Sequence, residues 1–185
     1  DVDGDGVGYR TLPGTHPDKG AFFTRGTSRD EYAAYTESPE AYQRNMERLQ
    51  LKWQTARQLV PIADITGRGG SVGVLYYGTT ALPIPEALDK LAVNGIHLDT
   101  CRVRGFPFGD EVETFVAQHD LIFVVEQNRD GQMRTLLINE LQTNPAKLIP
   151  ILYFAGLSIS ADFIDEQISA YYEEHKLARL TEVKS

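Results

Sequence analysis

An α/β fold with a mostly parallel sheet is what this sequence predicts, on three observations. From residue 71 onward, short β-rich apolar runs alternate with helix-length amphipathic segments. Strands alternating with helices imply a mostly parallel sheet with helices on both of its faces. The run "LIFVVEQN" (121–128) opens with five consecutive apolar residues, which suits a strand buried on both faces. Residues 1–37 follow neither rhythm. Six of the 16 glycines fall within the first 26 residues, together with Pro13 and Pro17, and no helical or alternating period appears. Such a segment reads as an extended arm or a connector from an upstream domain, leaving residues 38–185 as the α/β domain.

The elements follow in order. Ser38 can cap a helix, Pro39 fits its first position and Glu40 meets the helix dipole. Tyr42, Met46, Leu49, Trp53, Ala56 and Val60 recur in steps of four and three until Pro61, an apolar stripe expected to pack against a sheet or a neighbouring helix. "SVGVLYYG" (71–78) is a strand, and "TTALPIPEALDKLAVNG" (79–95) a helix ending at a glycine. "IHLDTCRV" and "GDEVETFVAQHD" repeat the strand–helix pair, and "LIFVVEQN" and "QMRTLLINELQTN" repeat it again. "KLIPILYFAG" is strand-like, and "SADFIDEQISAYYEEHK" is a closing amphipathic helix capped by Ser160. No internal repeat or low-complexity tract interrupts the series.

With 185 residues, 42% hydrophobic and 24% charged, the chain is long enough for one well-cored globular domain. A net charge of −8 argues against nucleic acid or an anionic membrane as partner, and no apolar run approaches the ~20 residues of a membrane span. One cysteine, Cys101, allows no internal disulfide and points to a reducing cytoplasm. It also rules out a zinc ribbon or an iron–sulfur cluster ligated by this chain alone. A first residue that is Asp rather than Met suggests a piece of a larger polypeptide.

The opening "DVDGDG" looks like a calcium loop, with Asp1, Asp3 and Asp5 alternating and Gly6 at the turn. An EF-hand needs a bidentate Glu at its twelfth position, and Leu12 stands there. A calcium site is therefore not expected, and the chain by itself is expected to bind no metal. In an open parallel sheet function gathers at the carboxyl ends of the strands. Here those ends carry Gly78-Thr79-Thr80, Arg102-Val103-Arg104, Glu126-Gln127-Asn128 and Ala155-Gly156. The two threonines can receive an anion at a helix start or simply cap it. Glu126 can serve a ligand, or pair with Arg129 or a backbone amide. His16, His97, His119 and His175 lack metal-ligand spacing, no serine sits in a nucleophile elbow, and Cys101 reads as a small buried hydrophobe. No self-sufficient catalytic set is visible. The richest polar stretch is "FFTRGTSRDEYAAYTE", where Arg25, Thr27, Arg29 and Asp30 lie between aromatic residues. It is either a solvated loop or one that reaches into a neighbouring cleft.

Three stretches, "DVDGDGVGYRTLPGTHPDKGAFFTRGTSRDEYAAYTE", "RGFPFGDEVETFVAQHDLIFVVEQNRDGQMRTLL" and "LIPILYFAG", resemble the alpha subunit of the 2-oxoacid:ferredoxin oxidoreductases, in its carboxyl-terminal third, as in the 2-oxoglutarate enzymes. The resemblance covers nearly the whole chain, apart from the tail after Tyr172. It implies a domain similar to the transketolase carboxyl-terminal domain: three α/β/α layers around a mostly parallel five-stranded sheet with one reversed strand. It further implies oxidative decarboxylation of a 2-oxoacid with coenzyme A to acyl-CoA, electrons passing to ferredoxin. Thiamine diphosphate, magnesium and an iron–sulfur cluster would serve the parent complex, held by a beta subunit and by the upstream pyrimidine domain. This piece would buttress those domains and shape the substrate cleft, binding no cofactor and being inactive alone. No catalytic residue carries over to it. A free-standing, non-catalytic α/β binding or assembly module with the same fold is the alternative.

Overall fold

The structure is a computed structural model and describes residues 1–20, 28–175 and 177. It divides into two compact units, Asp1–Val60 and Pro61–Ser185. The boundary expected after residue 37 lies inside the first of them.

In the first unit, helix α1 spans Pro39–Leu59, and Ser38 Oγ accepts from the Ala41 amide at 3.2 Å. The opening arm lies directly on this helix. A Cβ on Gly6 would stand 2.1 Å from the Lys52 amide nitrogen, so the contact and a φ of +81° both demand glycine there. Arg48 Nη1 donates to the Gly6 carbonyl at 2.7 Å, and Thr55 Oγ1 donates to the Asp5 carbonyl at 2.6 Å. The face used by the arm therefore runs through Arg48, Lys52 and Thr55. The apolar stripe read from the sequence lies about a third of a turn further round, and its four largest residues, Tyr42, Met46, Leu49 and Trp53, are 37–49% exposed.

In the second unit, five strands, β1 (Asp64–Thr66), β2 (Val72–Tyr77), β3 (Asp99–Val103), β4 (Leu121–Glu126) and β5 (Leu148–Leu152), form one sheet ordered β1-β3-β2-β4-β5. β1 runs antiparallel to β3, and all other pairs are parallel. Four helices cover the sheet: α2 (Ile84–Val93), α3 (Asp110–Gln118), α4 (Gln132–Leu141) and α5 (Ala161–Glu174). α2 and α5 bury Ile84, Ala87, Leu91, Ile164, Ile168 and Tyr172 against Val74, Phe123, Val125 and Ile151. On the opposite face α3 and α4 bury Val112, Phe115, Val116 and Leu137 against Leu75, Cys101, Ile122, Val124 and Leu148. The odd–even alternation along β4 shows why its sequence is apolar throughout: both faces need it. The result is the predicted three-layer architecture with one reversed strand.

Two local departures have clear causes. The helix expected over 79–95 begins as a 3₁₀ turn, Gly78–Ala81, and becomes α-helical only at Ile84, because Pro83 and Pro85 can occupy only a first turn. Gly73, inside β2, is where the rings of Phe115 and His119 lie on the sheet. A Cβ there would come within 2.6 Å of Phe115 Cζ, a close approach of the kind that glycine in a strand permits.

Candidate functional site

The winding of the chain locates the site. β2 leads through α2 to β3 on one side of the sheet, while β3 leads through α3 to β4 on β2's other flank. The connections leaving the neighbouring strands β2 and β4 consequently part to opposite faces. Open α/β sheets bind ligands in the crevice that such a parting creates. The side chains that meet there are Tyr77, Thr79 and Thr80 from β2 and its turn, and Glu126, Gln127 and Asn128 from β4.

Each is engaged with the protein itself. Glu126 is 0% exposed. Its Oε2 accepts from the Met133 amide at 2.7 Å and from Asn128 Nδ2 at 2.8 Å, and its Oε1 accepts from the Arg134 amide at 2.9 Å. A buried carboxylate is thus set against the first turn of α4, where unpaired amides and the helix dipole favour negative charge. Of the two structural pairings open to Glu126, the backbone amide is the one observed; Arg129 pairs with Asp130 at 2.7 Å. Asn128 Nδ2 also reaches the Tyr77 hydroxyl at 3.4 Å, and its Oδ1 accepts from the Asp130 and Gln132 amides. Burial, and then the nearby Glu126 charge, push the Tyr77 phenol above its ordinary range.

Thr79 and Thr80 lie in the 3₁₀ turn Gly78–Ala81, which has no side-chain cap. Gln127 Nε2 donates to both hydroxyls at 3.1 Å, while Gln127 Oε1 accepts from the Ile159 amide at 3.4 Å. One glutamine therefore ties together the connections that follow β2, β4 and β5. The carboxyl-end rule places Gln127 at this edge, but no motif marks its bracing role. Its role depends on three loops that only the folded sheet brings together.

At the amino end of the sheet a second polar cluster forms around Asp99. Its carboxylate accepts from the amides of Arg68 (2.8 Å), Gly69 (3.0 Å) and Gly70 (2.9 Å), and lies 3.3 Å from His119 Nε2. His119 Nδ1 sits 2.7 Å from the Phe115 carbonyl. Burial works to raise the Asp99 pKa, but the Arg68 and Gly70 amides and His119 outweigh it and hold the group below the usual carboxylate range. The "GRGG" loop (67–70) is an anion cradle filled by the protein's own side chain. Cys101 is buried, and burial pushes its thiol up to about 12, the signature of an inert packing residue.

The aspartates of the opening segment also turn inward. Asp1 Oδ2 accepts from the Gly6 amide at 3.1 Å, Asp5 Oδ1 from the Val7 amide at 2.9 Å, and Asp3 Oδ2 from the Tyr9 hydroxyl at 2.9 Å. Among the described residues no group of three or more His, Cys, Asp or Glu is placed to hold a metal ion. Of the arm candidates, Arg25 and Thr27 lie outside the described residues. Arg29 Nη1 donates to the Ala33 carbonyl at 3.0 Å, and Asp30 Oδ1 accepts from the Tyr32 and Ala34 amides at 2.9 Å. Those contacts close a tight turn in which Ala33 takes a φ of +64°. No described helix is long and apolar enough to cross a membrane.

Fold and site together define a three-layer α/β domain whose carboxyl edge is braced by its own side chains. No family model matches the chain. Among curated proteins it is similar to subunit alpha of 2-oxoacid:ferredoxin oxidoreductase 2 from Aeropyrum pernix, with 31% identity over 118 residues, covering 60% of this chain and 18% of that one. Among solved structures its fold matches part of a 2-oxoglutarate:ferredoxin oxidoreductase from Magnetococcus marinus, solved with 2-oxoglutarate, coenzyme A and succinyl-CoA bound. The TM-score is 0.74 at 20% identity, over 90% of this chain and 29% of that one. The chain thus spans under a third of either protein's length. Both are ferredoxin oxidoreductases by name, and the likeness to the second shows the fold alone.

Proposed function

We propose that the chain is the carboxyl-terminal domain of the alpha subunit of a cytoplasmic 2-oxoacid:ferredoxin oxidoreductase of the 2-oxoglutarate type. The observation that carries this reading is the 31% identity to the Aeropyrum alpha subunit; the shared fold supports it independently. In the parent complex the oxoacid loses its carboxyl group as carbon dioxide, and its acyl group bonds to the sulfur of coenzyme A. The thiol proton is released, and two electrons pass to two ferredoxins in single steps. Thiamine diphosphate would supply the carbanion chemistry when bound by the other domains. The described residues of this chain do not fit that cofactor's magnesium or an iron–sulfur cluster. Cys101 is a lone buried thiol, and among the described residues no group of three or more His, Cys, Asp or Glu is placed to hold a metal ion. The beta subunit and the upstream pyrimidine domain would hold those groups.

In this reading residues 1–37 connect the pyrimidine domain to the α/β domain. The arm, with Arg25, Thr27, Arg29 and Asp30, borders the oxoacid cleft, where planar guanidinium groups suit carboxylates. The braced edge around Glu126, Gln127 and Asn128 keeps the α/β domain rigid. A second reading, a free-standing assembly module, is favoured by one observation: the switch-point crevice is filled by the domain's own side chains. Expression of the complete reading frame with its beta partner separates the two. The enzyme reading expects viologen or ferredoxin reduction that depends on both coenzyme A and an oxoacid, with 2-oxoglutarate preferred to pyruvate. Reduction with no oxoacid tested would sink it. The isolated 185-residue chain should turn over nothing even with thiamine diphosphate and magnesium, and turnover would refute the domain assignment.

A further inference from the structure

What the bracing at the carboxyl edge holds still is apolar. Leu82, two residues beyond Thr80, and Phe154 and Leu157, in the connection that follows β5, are 64–80% exposed. Gln127 fixes both connections, through the Thr79 and Thr80 hydroxyls on one side and the Ile159 amide on the other. β2 and β5 flank β4, so the two connections leave the sheet about 10 Å apart. From this edge α5 carries the chain ~21 Å away. An apolar side chain exposed singly is ordinary. Three large ones on loops pinned to each other present on the order of a few hundred Å² of apolar surface, the extent at which a patch marks an interaction site.

This part of the edge is also electrically quiet. Residues 71–85 and 148–161 contain no Asp, Glu, Lys or Arg, and the two charges in the turn after β4, Arg129 and Asp130, pair with each other at 2.7 Å. Apolar surface depleted of charge is the composition of a permanent interface between subunits, whereas contacts between domains of one chain are more polar. Loops already tied down lose little freedom on binding, which favours a lasting contact. A second copy of this chain suits the patch poorly, because each copy carries a net charge of −8 and like net charges repel. We infer that Leu82, Phe154 and Leu157 form a permanent docking surface for a different subunit, which meets them with an apolar, uncharged face. On the oxidoreductase reading, on which this rests, that subunit is the beta chain.

Cysteine labelling reads the docking, since Cys101 is buried and does not compete. Leu82→Cys, Phe154→Cys and Leu157→Cys are made in the complete alpha chain, prepared alone and with its beta subunit. Val93→Cys, exposed at the far end of α2, is the control. Iodoacetamide labelling is followed by mass spectrometry of the peptide carrying each site. All four sites should label promptly in the alpha chain alone. In the assembled enzyme the three edge sites should label at least about ten-fold more slowly, with Val93→Cys unchanged. Phe154→Glu combined with Leu157→Glu should weaken the alpha–beta complex on the order of a hundred-fold and leave the far-UV spectrum of the alpha chain unchanged. Prompt edge labelling in an assembly that reduces viologen with oxoacid and coenzyme A would overturn the inference while the oxidoreductase reading stands. Edge protection already present in the alpha chain alone would overturn it too, since an upstream domain or a second copy would then be the cover. Protection only in a complex that lacks this activity would sink the oxidoreductase reading and keep the docking, and chains that do not co-purify would sink both.

Discussion

Replacing Glu126 by glutamine keeps the shape of the side chain and changes one oxygen into an NH2 group. The carboxylate has only donors around it: the Met133 and Arg134 amides and Asn128 Nδ2. The best orientation of the new amide leaves its oxygen with Met133 and Asn128 and turns its NH2 towards the Arg134 N–H. One charge-assisted bond becomes a donor–donor contact inside a site with no exposure, at a cost of about 1.5–3 kcal/mol. For a chain of this size that lowers Tm by roughly 5–10 °C. Glu126→Ala removes all three bonds and leaves a void, and should cost about 3–5 kcal/mol. Urea unfolding followed by circular dichroism measures both, with the m-value expected to stay constant. Hydrogen exchange at Met133 and Arg134 should accelerate in step. An unfolding midpoint for Glu126→Gln equal to that of the parent, with these amides still protected, would show that Glu126 does not hold α4. The carboxylate would then be free for a ligand.

Gly73→Ala should destabilise by about 1–3 kcal/mol, since the added methyl meets the Phe115 ring; an unchanged urea midpoint would mean that the ring moves away freely. Because the folded-state pKa of Asp99 is depressed, its contribution is present above the unfolded value of about 3.9 and is lost as pH falls through the folded value. Asp99→Asn should therefore be less stable than the parent at neutral pH and show a shallower loss of stability below about pH 4, which parallel acid titrations of the two proteins would reveal. Cys101 should resist alkylation by iodoacetamide at pH 8 until denaturant is added, and prompt labelling of the folded chain would contradict its burial. In the assembled enzyme, Arg25→Ala or Arg29→Ala should lower kcat/KM for the oxoacid by roughly ten- to a hundred-fold. Steady-state kinetics unchanged in both variants would leave the arm a connector alone.

The four parallel strands were legible because they are buried on two faces and spelled in branched and aromatic residues, a composition that few other environments tolerate. β1 was not: Asp64, Ile65 and Thr66 are all exposed and carry no alternation, so its existence rests on pairing with β3, a long-range fact. The resemblance supplied the reversed strand that periodicity could not. At the site, the carboxyl-end rule led to Thr79, Thr80, Glu126 and Asn128 correctly as a place. What each side chain does there depends on neighbours 47 or more residues away for the threonines, and only 7 or 8 away for Glu126. Backbone capping by Glu126 was therefore within reach of sequence reasoning, whereas the bracing by Gln127 was not. The α1 stripe shows another limit: its period was legible, but a period does not name what lies against it.

Both margins of the sheet are closed to further strands. β5 carries Pro150 at its centre, exposed and opposite Val124, so the outer edge lacks a donor where an incoming strand would need one. The other margin is the three-residue β1, where Asp64 stands within 3.6 Å of Arg102 and 3.4 Å of Arg104, and charged side chains there discourage edge-to-edge pairing. Strand addition, the commonest accident of an open sheet and the route to fibrous aggregates, is thereby blocked on both sides. Whatever assembles with this domain must grip it by its helices and loops.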